Sequence, residues 1–123
     1  MWFNEKTEER LDSILKIIEE TDADFVCLQE VTHDIKEYFL ANTYIKSILS
    51  AGGSISPNDI GTYGSIIISK YPCEFYECKF NSFMHRSLIL AEACVPFHLI
   101  VATSHFESLN NAALRCEQLE TTF

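Results

Sequence analysis

The sequence is poor in positive charge: nine Lys and Arg stand against eighteen Asp and Glu, a formal net charge of −9 at pH 7. Affinity for phosphate backbones comes mainly from clustered Lys and Arg that release counterions, so a broad basic surface for nucleic acid is excluded. A site that binds a divalent cation stays compatible with this balance, because the ion supplies the local positive charge. No apolar run reaches the ~18 residues that a membrane span needs, and the segment Met1 to Arg10 is mostly polar, so neither a transmembrane helix nor a secretory signal is read. The five cysteines, Cys27, Cys73, Cys78, Cys94 and Cys116, are odd in number and form no CxxC pair, which leaves out a zinc ribbon and a redox loop. Lying mostly in apolar stretches, they are expected to be small core residues of a protein in a reducing compartment, nuclear or cytoplasmic. Cys73 and Cys78 are candidates to share a metal, but no His or Cys accompanies them at ribbon spacing. Repeats and low-complexity tracts are missing, and with four Gly and three Pro in all the one turn-rich cluster is 52–61.

What remains is 123 residues, 47% of them hydrophobic, enough to build one core, so a single soluble globular unit is expected. Leu11, Ile14, Leu15 and Ile18 recur at the spacing of an amphipathic helix. Asn4 or Thr7 would cap it, Glu8 and Glu9 sit where the helix dipole favours anions, and its end is expected near Thr21. Residues 25–28 form a continuous apolar run between Asp24 and Gln29, the pattern of a strand buried on both faces. Thr32 would cap a second helix carrying Ile35, Tyr38 and Phe39, and 44–49 reads as a strand.

Further strands are expected over 65–69, over 73–80 with a bulge near Tyr76, over 87–95, and over 97–103 beyond Pro96. A last helix is expected over 110–120. The tally, about six strands and three helices, is a mixed α+β chain, and four strands between 61 and 103 without a helix argue for an antiparallel meander.

Two polar tips follow apolar strands. Glu30, beside Gln29, ends the first, a natural place for a rigidly held carboxylate that opens into a cleft. Magnesium takes hard oxygen ligands and commonly only one or two carboxylates; the alternative is a solvated strand end. The second tip is Thr103, Ser104, His105, Phe106, Glu107 and Ser108. If its strand lies beside the first, both tips open on one edge, and His105 is a candidate phosphate donor or general acid. The alternative is a helix-start cluster capped by Ser108 or Asn110. Arg86 is a candidate oxyanion ligand or an exposed strand-start residue. Arg115, on a helix face with Gln118 and Leu119, reads as an ion-pair partner, Asn4 as a cap, and His33 as part of the second helix's first turn.

Asp24-Phe25-Val26-Cys27-Leu28-Gln29-Glu30-Val31, then Met84-His85-Arg86, then Thr103-Ser104-His105-Phe106-Glu107-Ser108 followed by Arg115 and Gln118-Leu119, resemble in order and spacing the endonuclease/exonuclease/phosphatase superfamily. The nearest likeness is to its tyrosyl-DNA phosphodiesterase 2 branch. The resemblance implies the N-terminal half of a DNase I-like α/β/β/α sandwich. It implies a Mg2+ site at Glu30, with Mn2+ as a substitute, catalytic roles for Glu30 and His105, and substrate contacts from Arg86 and Ser108. The implied reaction is attack of an activated water on a phosphodiester in nucleic acid, in that branch at the 5′ end of DNA linked to a protein tyrosine. A catalytically inactive interaction module, or a lipid- or inositol-phosphate phosphatase of the same superfamily, is the alternative.

The superfamily's first strand, ending in threonine-tryptophan-asparagine or similar, finds no match, and neither do its glycine-aspartate-x-asparagine and serine-aspartate-histidine motifs. The resemblance therefore implies that residues 1–123 are one partial domain lacking its first strand and C-terminal half. Such a chain is expected to be inactive alone and to pair through an exposed sheet face with that missing half or with another copy.

Overall fold

The computed structural model of the chain describes residues 6–56, 63–94 and 96–123. Helix α1 (Thr7–Thr21) turns Leu11, Leu15 and Ile18 inward. The residue before it is Lys6, left-handed at φ 63° with no side-chain cap bond, so Thr7 opens the helix rather than capping it. Asn4, the other expected cap, lies outside the described residues. Asp22 ends α1 in a left-handed conformation, and the Lys70 ammonium donates to both its carbonyl and its carboxylate.

Strand β1 (Phe25–Val31) is followed by α2 (His33–Ala41), where the Thr32 hydroxyl accepts from Ile35 N–H as the sequence predicts. Residues 44–49 are a helix and not a strand, α3 (Thr43–Ser50). The Asn42 side-chain oxygen accepts the N–H groups of Tyr44 and Ile45 at 2.9 and 3.1 Å, a strong start signal. Tyr44, Ile45, Ile48 and Leu49 then fall on one helical stripe, with Ile45 and Ile48 buried. Two residues of the turn-rich cluster form the short strand β2 (Ser54–Ile55). Pro57, Asn58, Asp59 and Gly61 lie outside the described residues.

Strands β3 (Gly64–Ser69), β4 (Cys73–Lys79), β5 (Ser87–Ala93) and β6 (Leu99–Ser104) follow, then α4 (Ala112–Thr122). They do not form one four-strand meander. Among the described residues there are two three-stranded antiparallel sheets, ordered β1-β3-β2 and β4-β5-β6. The break falls at Tyr71-Pro72, where proline withdraws a ladder donor. β4 pairs with β5 without interruption from Cys73↔Ala93 to Lys79↔Ser87, so the bulge expected near Tyr76 is not there. Tyr76 instead lies on the outer face, its hydroxyl 2.8 Å from Glu74 and 3.2 Å from Glu92.

Alternation sorts the core into two. Leu11, Leu15, Ile18, Phe39, Ile45 and Ile48 of the helices pack with Ile66 and Ile68 on one face of the first sheet, joined by Val26, Leu28 and Val31. The other face sends Ile67, Phe25 and Cys27 against Ile89, Ala91, Cys73 and Phe75 of the second sheet. β1 is thus covered on both sides, but as an edge strand its first four side chains are half-buried, short of the full burial expected. Cys73 and Cys78 of β4 point to opposite faces by the period of two, which rules out a shared metal. The layers are helices, sheet and sheet, an α+β architecture as expected. No helix among the described residues is long and apolar enough to cross a membrane.

Candidate active site

Antiparallel pairing decides which chain ends meet. Leu88↔Ser104 sets the residues preceding β5 beside those following β6, and Val31↔Gly64 sets the end of β1 beside the start of β3. Gln29 of β1 donates to the Thr103 hydroxyl of β6 at 2.8 Å, tying the two sheets at this same end. Glu30, Arg86, His105 and Ser108, the residues singled out from sequence, are therefore brought together, although up to 78 positions separate them in the chain.

Glu30 owes its placement to a bulge. β1 pairs Leu28↔Ile66 and then Val31↔Gly64, one residue more on β1 than on β3. The extra residue resets the alternation, so Val31 returns to the helix-side core at 3% exposure while Gln29 and Glu30 both stay exposed. Glu30 takes φ 56°, a left-handed conformation that costs a non-glycine residue roughly 1–2 kcal/mol.

Arg86 is not the exposed strand-start residue that was the alternative: it is 6% exposed. Its Nη1 lies 2.9 Å from His105 Nδ1, its Nη2 donates to Ser108 Oγ at 3.3 Å and approaches Met84 Sδ at 3.9 Å, and its guanidinium stands 5.2 Å over the Tyr63 ring. Guanidinium only donates, so Nδ1 of His105 accepts and its proton resides on Nε2. Glu30 Oε1 is 3.7 Å from the same Nδ1; with that nitrogen occupied by Arg86, this approach is electrostatic and not a hydrogen bond. Burial, then the Arg86 charge, hold the imidazole below its usual pKa, with Glu30 opposing them. His105 is therefore better suited to donate a hydrogen bond from a neutral ring than to act as an imidazolium acid.

The segment carrying His105 is held from behind by polar contacts. Glu107, 1% exposed, accepts from Ser82 Oγ at 2.5 Å, and its N–H donates to the buried Gln118 amide oxygen at 2.8 Å. Gln118 Nε2 donates in turn to the Asn81 carbonyl, so α4 is latched onto the loop before β5. The ion pair expected of Arg115 is replaced by bonds from Nη1 to the carbonyls of Glu107 and Leu109. The residue before α4 is Asn111, not Ser108 or Asn110, and its side chain donates to the Ser108 carbonyl instead of capping. His33 opens α2 away from this network.

A cleft of about 190 Å³ opens on the other flank of Glu30, lined by Arg10, Leu11, Ile14, Leu28, Gln29 and Phe39. Nothing in the sequence singles out Arg10 or Tyr63: Arg10 reaches the cleft from α1, and Tyr63 meets Arg86 from the residue before β3. Gln29 was legible as a polar neighbour of Glu30, but its bond to Thr103 was not. Among the described residues, no three-ligand group of His, Cys, Asp or Glu includes Glu30. One half-exposed carboxylate still fits Mg2+, which keeps several waters and takes one or two protein carboxylates.

No curated protein sequence matches the chain. Solved structures match in fold. TDP2 from C. elegans superposes with a TM-score of 0.77 at 21% identity, covering 97% of this chain and 37% of its own. A D. rerio TDP2 humanized by 14 mutations gives 0.76 at 21%, covering 97% and 49%. D. rerio TDP2 complexed with single-strand DNA product gives 0.76 at 22%, covering 97% and 48%. This chain thus spans 37% to 49% of the length of those structures, and its α+β sandwich is DNase I-like. The profile of the endonuclease/exonuclease/phosphatase family matches residues 1–102, and the chain belongs to that family.

Proposed function

We propose that this chain carries part of the active site of a divalent-metal-dependent phosphodiesterase that acts on nucleic acid, with a 5′-tyrosyl-DNA linkage as substrate. The observation that carries the reading is the meeting of Glu30 and His105, 3.7 Å apart at the shared end of both sheets, with Arg86 bound to the imidazole. Glu30 would hold Mg2+ or Mn2+, which when bound supplies a Lewis acid for charge on phosphoryl oxygens. His105 offers its Nε2–H to a phosphoryl oxygen. Arg86 fixes that tautomer and orients Ser108, whose hydroxyl accepts from Nη2 and keeps its own proton for substrate. The net charge of −9 supports a reading in which the ion and these few donors, rather than a basic surface, bind the phosphate. The TDP2 structure complexed with single-strand DNA product supports DNA as the partner.

The test is Mg2+-dependent hydrolysis of a 5′-phosphotyrosyl oligonucleotide. It is run with the chain alone and with the chain joined to the part of the TDP2 length that it does not span. Activity is expected only in the joined form, and Glu30→Gln and His105→Gln should each lower it by about 10²–10³-fold, the scale of one lost transition-state contact. Full activity in Glu30→Ala would remove the ligand role. Among the described residues no group of three potential ligands includes Glu30, which favours one other reading, a non-catalytic interaction module, for which the joined form would bind the oligonucleotide without cleaving it. Mg2+-dependent release of phosphate from inositol phosphates, with the oligonucleotide left intact, would move the substrate to the other branch.

A further inference from the structure

The opposite end of the second sheet carries a different set of ligands. Continuing the β5–β6 register one step past Ala93↔Leu99 sets Cys94 against His98. Glu92, two residues before Cys94, shares its face of the hairpin. The ligand atoms of Glu92, Cys94 and His98 all lie within 4.8 Å of one another. Within that group His98 Nε2 and Glu92 Oε1 already meet at 2.6 Å. The second Glu92 oxygen is held at 3.2 Å from the Tyr76 hydroxyl, which also bonds Glu74, the residue directly opposite Glu92 on β4.

We propose that the tip of the β5–β6 hairpin binds one Zn2+ through Glu92 Oε1, the Cys94 thiolate and a His98 ring nitrogen, with water in the fourth position. Four-coordinate zinc with bonds of about 2.0–2.3 Å separates its ligand atoms by roughly 3.3–3.8 Å. The cluster therefore needs only side-chain adjustments at an exposed tip, with no backbone rearrangement. A mixed sulfur, nitrogen and oxygen set selects zinc over magnesium or calcium, which prefer oxygen alone. Glu92 comes from β5, Cys94 directly follows that strand and His98 directly precedes β6, so the ion would pin the end of the hairpin. The Tyr76 hydroxyl fixes the carboxylate from behind, the role of an outer partner in metal sites. A strand of seven residues at ~3.4 Å each separates this tip from His105 by roughly 20 Å, so the ion plays no part in the chemistry proposed above.

The experiment is titration of the reduced chain with Co2+ and then Zn2+, read by absorption and calorimetry. One equivalent of Co2+ should give a thiolate-to-cobalt charge-transfer band and the visible bands of four-coordinate cobalt, both bleached by one equivalent of Zn2+. Cys94→Ser should abolish the charge-transfer band. Tyr76→Phe should weaken Zn2+ affinity by the ~10–100-fold that loss of an outer partner costs, and His98→Ala by more. Cys78→Ser and Cys116→Ser, which alter the other exposed thiols, should change nothing. A charge-transfer band that survives in Cys94→Ser, or no saturable binding by the parent chain, would overturn the proposal. Melting curves of each variant check folding, and Glu30→Gln, with the tip intact, should keep the full cobalt spectrum.

Discussion

Arg86 gives a hydrogen bond from Nη1 to Nδ1 of His105 over 2.9 Å, and this settles which ring nitrogen faces outward with a proton. Burial of the imidazole, and then the Arg86 cation against it, set the direction of the ring's titration.

In metal-free solution the His105 midpoint, followed by NMR of the ring, should lie below the ordinary 6.5 because burial and then Arg86 disfavour the charged form. The unfolded chain then takes up the proton first as pH falls. Stability is fully present above pH 6.5 and declines as pH drops from there toward the folded pKa. His105→Gln should flatten that part of the stability–pH curve, and Arg86→Met should raise the midpoint. A midpoint above 6.5 in the parent chain would contradict the geometry.

The bulge at Glu30 predicts an inverted glycine effect. Because Glu30 sits at φ 56°, Glu30→Gly should be about 1 kcal/mol more stable than Glu30→Ala, which keeps the strain. Urea denaturation of the two variants measures the difference, and equal midpoints would argue against the left-handed conformation.

Ile67 is a fully buried apolar side chain of the first sheet in the seam between the sheets. Ile67→Ala should lower unfolding free energy by about 2–5 kcal/mol, whereas Ile17→Ala, at a position 62% exposed on α1, should change it by less than about 0.5 kcal/mol. Paired denaturation curves test this.

The thiols should separate into two classes on alkylation. Cys78, Cys94 and Cys116 are exposed and should react fast, while Cys27 and Cys73 are half-covered. Cys27 should be slowest, since burial raises its pKa and its bond with Thr103 only partly offsets this. Mass spectrometry of the native chain over time would show the order, and early labelling of Cys27 would contradict the packing.

Periodicity carried much of the fold. Leu11, Leu15 and Ile18 announced α1, Thr32 announced α2, and the apolar runs at β1, β3, β5 and β6 announced strands, because these signals are local. The same local reading failed at 44–49, where four apolar residues suit either a strand or a helix, and the Asn42 cap with burial of Ile45 and Ile48 tipped the balance. It failed at Tyr76, where an aromatic residue on an exposed face imitates a slipped register.

The candidate site divides along the same line. That Glu30 and His105 each close an apolar strand was visible in the chain, because a polar tip after an apolar run depends only on neighbours in sequence. That both tips meet at one end, with Arg86 buried between His105 and Tyr63 and Glu30 turned outward by a one-residue bulge, came from strand order and sheet-on-sheet packing. Those are set by contacts among residues tens of positions apart, and no window of sequence contains them.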